Sequence, residues 1–380
     1  MNLEMRTQTR PAPAAGKTAK FSVKYILTVV GFVLVGAAVG YVIAGGVKTT
    51  GGKAHVSLWM LALIPPAGLL AIALHEAGHV AGGLMSGFRF YLYVAGPLRI
   101  ERNGERLRFG FNSVGILWGG LAACIPKRVG PEIRGGMLRF TAGGPVASLL
   151  LVLVLLPASA MRAAHPDLAY LLGSFALMSG GVGLVTLVPM QVGGFTNDGS
   201  RLLMLVRDRA EGRRWTAMGA VAGLSMVERP KRWPVELVEL LGNGQDAAAD
   251  SGLVCLLRHS WHLDRRELEA GGMWIDRAVD KIEVMAKPMR GSIYAAATSF
   301  CALHRADARI AREYLDKALE TTWYDHGALH TVNAAVLIAE GRSEEGRREL
   351  DLAAGRVESK PPQLAEALRE EIDELRARIG

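Results

Sequence analysis

From Tyr25 to Val47 the sequence runs for 23 residues without a charge. As a helix, that length crosses a hydrocarbon core of roughly 30 Å. It is too long for the core of a signal peptide and no small-residue cleavage site follows it, so it reads as a membrane span. A second apolar run extends from Val56 to Phe88, with Pro65-Pro66 inside it; a helix there is kinked at the prolines or starts after them. Two more runs, Phe140 to Met161 and Leu168 to about Met190, bring the expected number of spans to four. Of the 380 residues, 50% are hydrophobic and they crowd into the first 200 positions. The second half is charged and helical in composition. The expected architecture is therefore mainly α: a basic tail at 1–20, a polytopic transmembrane domain at 21–203, and a soluble helical domain at 204–380.

Between the second and third spans the period changes. Leu98 to Arg102 and Glu105 to Phe109 alternate apolar and charged residues around Asn103-Gly104, a strong two-residue turn signal. This predicts a β-hairpin, with Phe90 to Val94 as a third strand. Lys and Arg set the orientation. The tail before the first span holds Arg6, Arg10, Lys17, Lys20 and Lys24, the hairpin region is rich in arginine, and Arg201, Arg207 and Arg209 follow the fourth span. The other two loops hold only Lys48 and Lys53, and Arg162. Both termini and the hairpin are thus expected in the cytoplasm of a multi-pass cell-membrane protein. The net charge of +8 flanks the apolar runs and forms no stripe with interleaved aromatics, which argues against nucleic acid. Three cysteines without a C-x-x-C pair (Cys124, Cys255, Cys301) suggest reduced packing residues rather than disulfides or a cysteine-zinc site.

Inside the second apolar run lies His75-Glu76-Ala77-Gly78-His79. On a helix, residues four apart share a face, so both imidazoles can reach one metal ion while Glu76 stands one residue round, placed to act as a base. The alternative is a polar cluster capping a helix end. Ionisable groups inside an apolar run cost at least about 2.5 kcal/mol each and mark function, which favours the metal. Catalytic zinc needs a third protein ligand. Asp198, in Asn197-Asp198-Gly199, is the first acid after 30 uncharged residues and falls on the side of the membrane where the histidines sit; an ordinary Asp-Gly turn is the competing reading. His259 and His262, three apart on a soluble helix, have no acid or cysteine evidently placed with them.

With these residues in view, the stretch from Leu69 to Leu203 resembles the site-2 protease family of intramembrane metalloproteases. The resemblance implies one zinc ion held by His75, His79 and Asp198, Glu76 as the catalytic base, and a membrane-anchored protein as substrate. Gly143-Gly144-Pro145-Val146-Ala147-Ser148 is similar to the family's Gly-Pro-x-x-Asn element, with Ser148 where that element has Asn; ordinary helix packing through small residues explains it equally well. Thr186-Leu187-Val188-Pro189 resembles the family's Asn-x-x-Pro, again without Asn, and the gap from there to Asp198 is longer than in many members. The oxyanion-stabilising role is thereby left open, with Asn197 or Thr196 as substitutes. An exposed strand edge in the hairpin region could pair with unwound substrate, or the strands could simply cover the site's mouth.

Beyond residue 203 the apolar stretch Trp215 to Val227 is too short to cross a membrane. Ala311 to Ala318 matches Gly346 to Ala353 at an offset of 35, similar to tetratricopeptide-type hairpins, with generic helical packing as the alternative. Leu364, Leu368, Ile372, Leu375 and Ile379 line one face of a terminal helix. The domain is expected to bind a cytoplasmic partner or gate substrate access. Two rival readings are an inactive protease homologue acting as an adaptor, and a metal transporter, which would need more polar residues along its spans.

Overall fold

The computed structural model describes residues 62, 64–103, 106–112, 119–127, 130, 132–158, 165–192, 195–207, 209–242, 251–285, 287–321, 326–360 and 362–379. The basic tail, the expected first span and the start of the expected second lie outside these residues. The described chain is mainly helical, with a small antiparallel sheet.

Helix α1 (Ile64–Met85) has Pro65 and Pro66 in its first turn, where a missing amide costs nothing. Helices α2 (Ile133–Ala158) and α3 (Pro166–Leu187) pack with it. Within α2 and α3, Ile133–Pro157 and Leu168–Leu187 are long and apolar enough to cross a membrane. The third expected span thus begins several residues before Phe140. Large apolar side chains of α2, including Leu149, Leu153 and Val154, are more than half exposed, a surface that water disfavours and lipid does not. Helix α1 has similar length, but His75, Glu76 and His79 lower its hydropathy.

Between α1 and α2 lie β1 (Arg89–Ala95), β2 (Leu98–Asn103), β3 (Arg106–Phe111) and β4 (Leu121–Ile125), in the order β3-β2-β1-β4. The expected hairpin and third strand are present, but the register differs from expectation by one position. Asn103 pairs with Arg106, so Gly104-Glu105 rather than Asn103-Gly104 separate the strands. The observed register sets Glu101 opposite Arg108 and Gly110 opposite Arg99; the expected one would have opposed Arg99 to Arg108, a repulsive pair, but also Arg102 to Glu105 and Glu101 to Arg106, so charge alone does not select between them. The observed register pairs Ile100 with Phe109 and Leu98 with Phe111, two aliphatic–aromatic pairs where the expected one has a single such pair.

Strand β4 was not anticipated. Its residues, Leu121-Ala122-Ala123-Cys124-Ile125, carry no charge alternation, and burial of Ala122 and Cys124 against the helices defines its inner face. One extra residue on β1 shifts its register with β4 between Phe90 and Leu92.

After α3, a two-stranded turn of β5 (Gln191–Val192) and β6 (Phe195–Thr196) leads into α4 (Asp198–Arg207). Helix α4 runs across the expected domain boundary at 203. Its Leu205 is fully buried in one core with Phe88, Cys124, Ile133, Phe140 and Ala220. The stretch from Trp215 is packed internally, mostly in α5 (Ala210–Leu224). That helix faces both this core and a second one built with α6 (Val235–Leu240) and α7 (Ser251–Asp264).

The remaining chain forms α7 with α8 (Leu268–Asp280), α9 (Lys287–His304) with α10 (Ala308–Leu319), α11 (His326–Ala339) with α12 (Ser343–Ala354), and the terminal α13 (Pro362–Ala377). The 35-residue offset is structural: α10 buries Ala311, Leu315 and Ala318, and α12 buries Gly346, Leu350 and Ala353. Each pair turns through one left-handed residue two positions past the first helix, namely Arg266, Ala306 and Gly341. The array therefore holds three hairpins of one design, each burying its face on a neighbour. Ala365, Ile372 and Leu375 of α13 close the last core. Cys124, Cys255 and Cys301 are buried, unpaired thiols in three separate cores.

Arg229, 3% exposed, ties the two ends of the array together. It donates to Asp264 at the end of α7 (2.6 Å) and to both carboxylate oxygens of Glu370 on α13 (2.7 and 2.8 Å).

His259 is buried, with Nδ1 2.8 Å from the Gly271 carbonyl oxygen. Burial, opposed by that bond, holds its pKa down at about 4. An unfolded chain takes up this proton near pH 6.5 and the folded one does not until about pH 4, so this histidine's contribution is present at neutral pH and is lost as pH falls through that window. The loss is on the order of 3 kcal/mol. Calorimetric unfolding at pH 7 and pH 5 should show a smaller acid destabilisation in His259→Gln than in the wild type; equal losses in both would contradict the assignment.

Candidate metal centre

The site forms where α1, α2 and the start of α4 meet. Close approach of α1 to α2 depends on glycine: a Cβ on Gly78 would overlap the Gly143 carbonyl, and one on Gly143 the Gly78 carbonyl. The face of α1 bearing His75 and His79 is thereby pressed against α2. The two rings meet edge to face at 4.9 Å, and His79 packs on Phe140.

Asp198 comes from the first turn of α4 and is fixed from three directions. Asn197 accepts from the Ser200 amide (3.2 Å), an N-cap bond, and from the Met190 amide (3.1 Å), and donates to the Val188 carbonyl. Gly199 lies against the Leu187 carbonyl, where no side chain fits. At the other end of α4, the Arg134 guanidinium donates to the carbonyls of Leu205 and Val206, a favourable position for a cation at a helix C-terminus. Asn197 is therefore engaged in shaping the turn through its Oδ1 and one hydrogen of its amide nitrogen. The long interval between Pro189 and Asp198 is filled by the β5–β6 turn.

These supports bring the three expected ligands together. Asp198 Oδ2 lies 3.1 Å from His75 Nε2 and 3.2 Å from His79 Nε2. All three side chains are buried. A tetrahedron with ligand bonds of about 2.0 Å has edges of about 3.3 Å, so the spacing suits a shared small cation. His79 Nδ1 lies 2.9 Å from the Phe140 carbonyl oxygen, which only accepts, and 3.3 Å from the Gly144 amide, which only donates; the shorter contact favours the hydrogen on Nδ1. On a neutral ring Nε2 is then a bare lone pair facing a carboxylate, an arrangement that requires a cation or an added proton between them. His75 Nδ1 pairs with Ser148 Oγ at 2.9 Å. Each histidine thus has its second nitrogen held by a neighbour, as metal-binding imidazoles do.

Gly144 supplies the room. A Cβ there would overlap the Nε2 atoms of both histidines, so the absent side chain leaves the space that the two nitrogens face. Ser148, read from sequence only as a departure from Asn, is the group that orients His75. The Gly-Gly-Pro stretch does serve helix packing, through Gly143, and it serves the site as well.

Glu76 sits beside the cluster, its ligand atoms and those of both histidines lying within 4.8 Å of one another. It accepts a hydrogen bond from the Ala122 amide of β4. Gly120, at φ +97°, passes so close that any side chain there would strike the Glu76 carboxylate. Two groups that sequence reasoning missed, Tyr93 and Arg201, stand near enough to feel the Glu76 charge. Tyr93 also donates to the Ala73 carbonyl (2.8 Å), tying the sheet to α1 just before the motif. His262 pairs with Glu267 (2.6 Å), and His259 is engaged as described above.

No family model matches the chain, and neither does any curated protein or solved structure.

If Ser148 holds the His75 ring for a metal, Ser148→Ala should weaken retention of a divalent ion by about 10- to 100-fold, read by competition with a chromogenic chelator. Unchanged affinity would remove Ser148 from the site.

Proposed function

We propose that the chain is an intramembrane zinc metalloprotease that hydrolyses a peptide bond in or near the membrane segment of an anchored protein. The observation that carries this reading is the convergence of His75 Nε2, His79 Nε2 and Asp198 Oδ2 at 3.1–3.2 Å, with Glu76 alongside. Two nitrogen donors and one carboxylate leave a fourth tetrahedral position free, as hydrolytic zinc requires. Borderline imidazole and carboxylate ligands without sulfur are compatible with zinc.

A zinc ion bound there would polarise a peptide carbonyl and acidify a water molecule. The protein's own groups do the rest. Glu76 takes the proton from the attacking water and returns it to the nitrogen of the departing amine as the peptide bond breaks. The Ala122 amide steadies its carboxylate, and the bare backbone at Gly120 lets it approach. The side of β4 that does not pair with β1 faces Glu76, because the Ala122 amide points there. An extended substrate lying along that edge would gain main-chain hydrogen bonds with little demand on its sequence, and its unwound carbonyl would reach the acid–base pair.

On this reading Tyr25–Val47 and α1 join α2 and α3 in a four-span arrangement. The distribution of Lys and Arg favours both termini and the sheet on the cytoplasmic side. The helical array then projects into the cytoplasm as a docking or gating unit for a protein partner.

Glu76→Gln should keep metal and lose about 10²- to 10⁴-fold in cleavage rate, whereas His75→Ala and Asp198→Ala should lose metal too. Metal content is read on purified protein. Cleavage is read by comparing membrane proteomes of cells expressing the wild type or Glu76→Gln, where uncut substrates accumulate. Metal occupancy should also fall at acid pH, since imidazole ligands must be neutral. A fully active Glu76→Gln enzyme would refute the mechanism.

A further inference from the structure

On the helical array, α10, α11 and α12 line an open cleft of about 260 Å³. Asn333 and Leu337, one turn apart, line it from α11; Arg312 reaches it from α10; Arg342, Arg348 and Glu349 reach it from the following turn and α12. Its charges are nearly all committed. Arg312 is bound through two nitrogens to Glu340 (both 2.7 Å). Arg342 is bound through two nitrogens to Glu345 (2.8 and 2.6 Å) and also touches Glu340. Glu349 pairs with His330 at 2.7 Å. In these pairs every carboxylate of the cleft already has its donor.

Two polar side chains stand apart. Among the described residues, Arg348 forms no hydrogen bond or ion pair, and the Asn333 amide forms no hydrogen bond, although both line the cleft. Glu345, whose charge Arg348 feels, is taken by Arg342. The cleft therefore holds an excess of donors: a whole guanidinium fork, the amide of Asn333, and the unused N–H groups of Arg312. A planar fork is matched by a carboxylate, which it binds through two parallel bonds. Asn333 offers a donor and an acceptor together, the complement of a peptide group. Leu337, 5% exposed, gives the floor an apolar patch.

We infer that this cleft binds the carboxylate of an extended acidic peptide, with Arg348 gripping the carboxylate and Asn333 reading the adjoining main chain. The partner is thus a protein segment bearing acidic side chains or a free C-terminus. The inference does not depend on the metal centre and holds whether or not the chain is a protease.

The test uses the full-length protein in nanodiscs and a fluorescein-labelled eight-residue peptide of alanine and leucine ending in two aspartates, followed by anisotropy. Saturable binding is expected, weakened about tenfold or more by Arg348→Ala and less by Arg348→Lys. Arg347→Ala, a neighbouring exposed arginine outside the cleft, should change nothing, and circular dichroism should show Arg348→Ala folded. Binding that survives amidation of the peptide assigns the grip to side-chain carboxylates; binding lost on amidation assigns it to the terminal one. Three results would overturn the inference: no saturable binding, equal binding of an amidated peptide with asparagines for aspartates, or displacement by inorganic phosphate as effective as by unlabelled peptide, which marks a bare anion site.

Discussion

Three electron-rich atoms, two imidazole nitrogens and a carboxylate oxygen, face one another across little more than 3 Å in a site almost closed to water. With its hydrogen on Nδ1, a neutral His79 faces an ionised Asp198 lone pair to lone pair, an arrangement that a cation or an added proton between them relieves. Much of the neighbouring structure serves that convergence. Glycines at 78 and 143 let two helices touch, Gly144 keeps the centre open, and Ser148 and the Phe140 carbonyl orient the rings. The cap at Asn197 and the clamp at Arg134 hold the carboxylate-bearing helix from its two ends.

The histidine pair and Glu76 were legible because helical periodicity alone puts residues four apart on one face. Asp198 was legible through its isolation after a long uncharged run. What escaped were contacts made by unremarkable residues. Ser148 and Gly144 matter only through which ring atoms they meet across the helix pair, and no spacing in the sequence encodes that. Strand β4 was missed because alanine and cysteine in a short apolar run fit a helix as well as a strand; packing against α1 decides. The hairpin was found but its turn misplaced by a residue: the observed register opposes Ile100 to Phe109 and Leu98 to Phe111, two aliphatic–aromatic pairs that a reading of the local turn signal does not weigh. In the helical half, the 35-residue offset revealed two hairpins. The first hairpin stands 40 residues before the second rather than 35, measured between the left-handed residues 266 and 306, so no match at the same offset exposes it.

The expected border at residue 203 also looks different in three dimensions. Composition changes there, but packing does not. Leu205 and Ala220 lie in the core beneath the candidate metal site, and α5 presents its other face to the helical array. Arg229 then joins the first part of that array to its last helix. A ligand that shifted the array would therefore act on a helix packed against the α2 segment that positions His79, a contiguous route from the surface of the array to the site.

Zinc K-edge X-ray absorption on the metal-loaded full-length chain tests the central claim most directly. The account predicts nitrogen and oxygen scatterers only, at about 2.0–2.1 Å, with the outer-shell pattern of two imidazoles. A sulfur ligand at about 2.3 Å, or outer-shell scattering from fewer than two imidazoles, would contradict it.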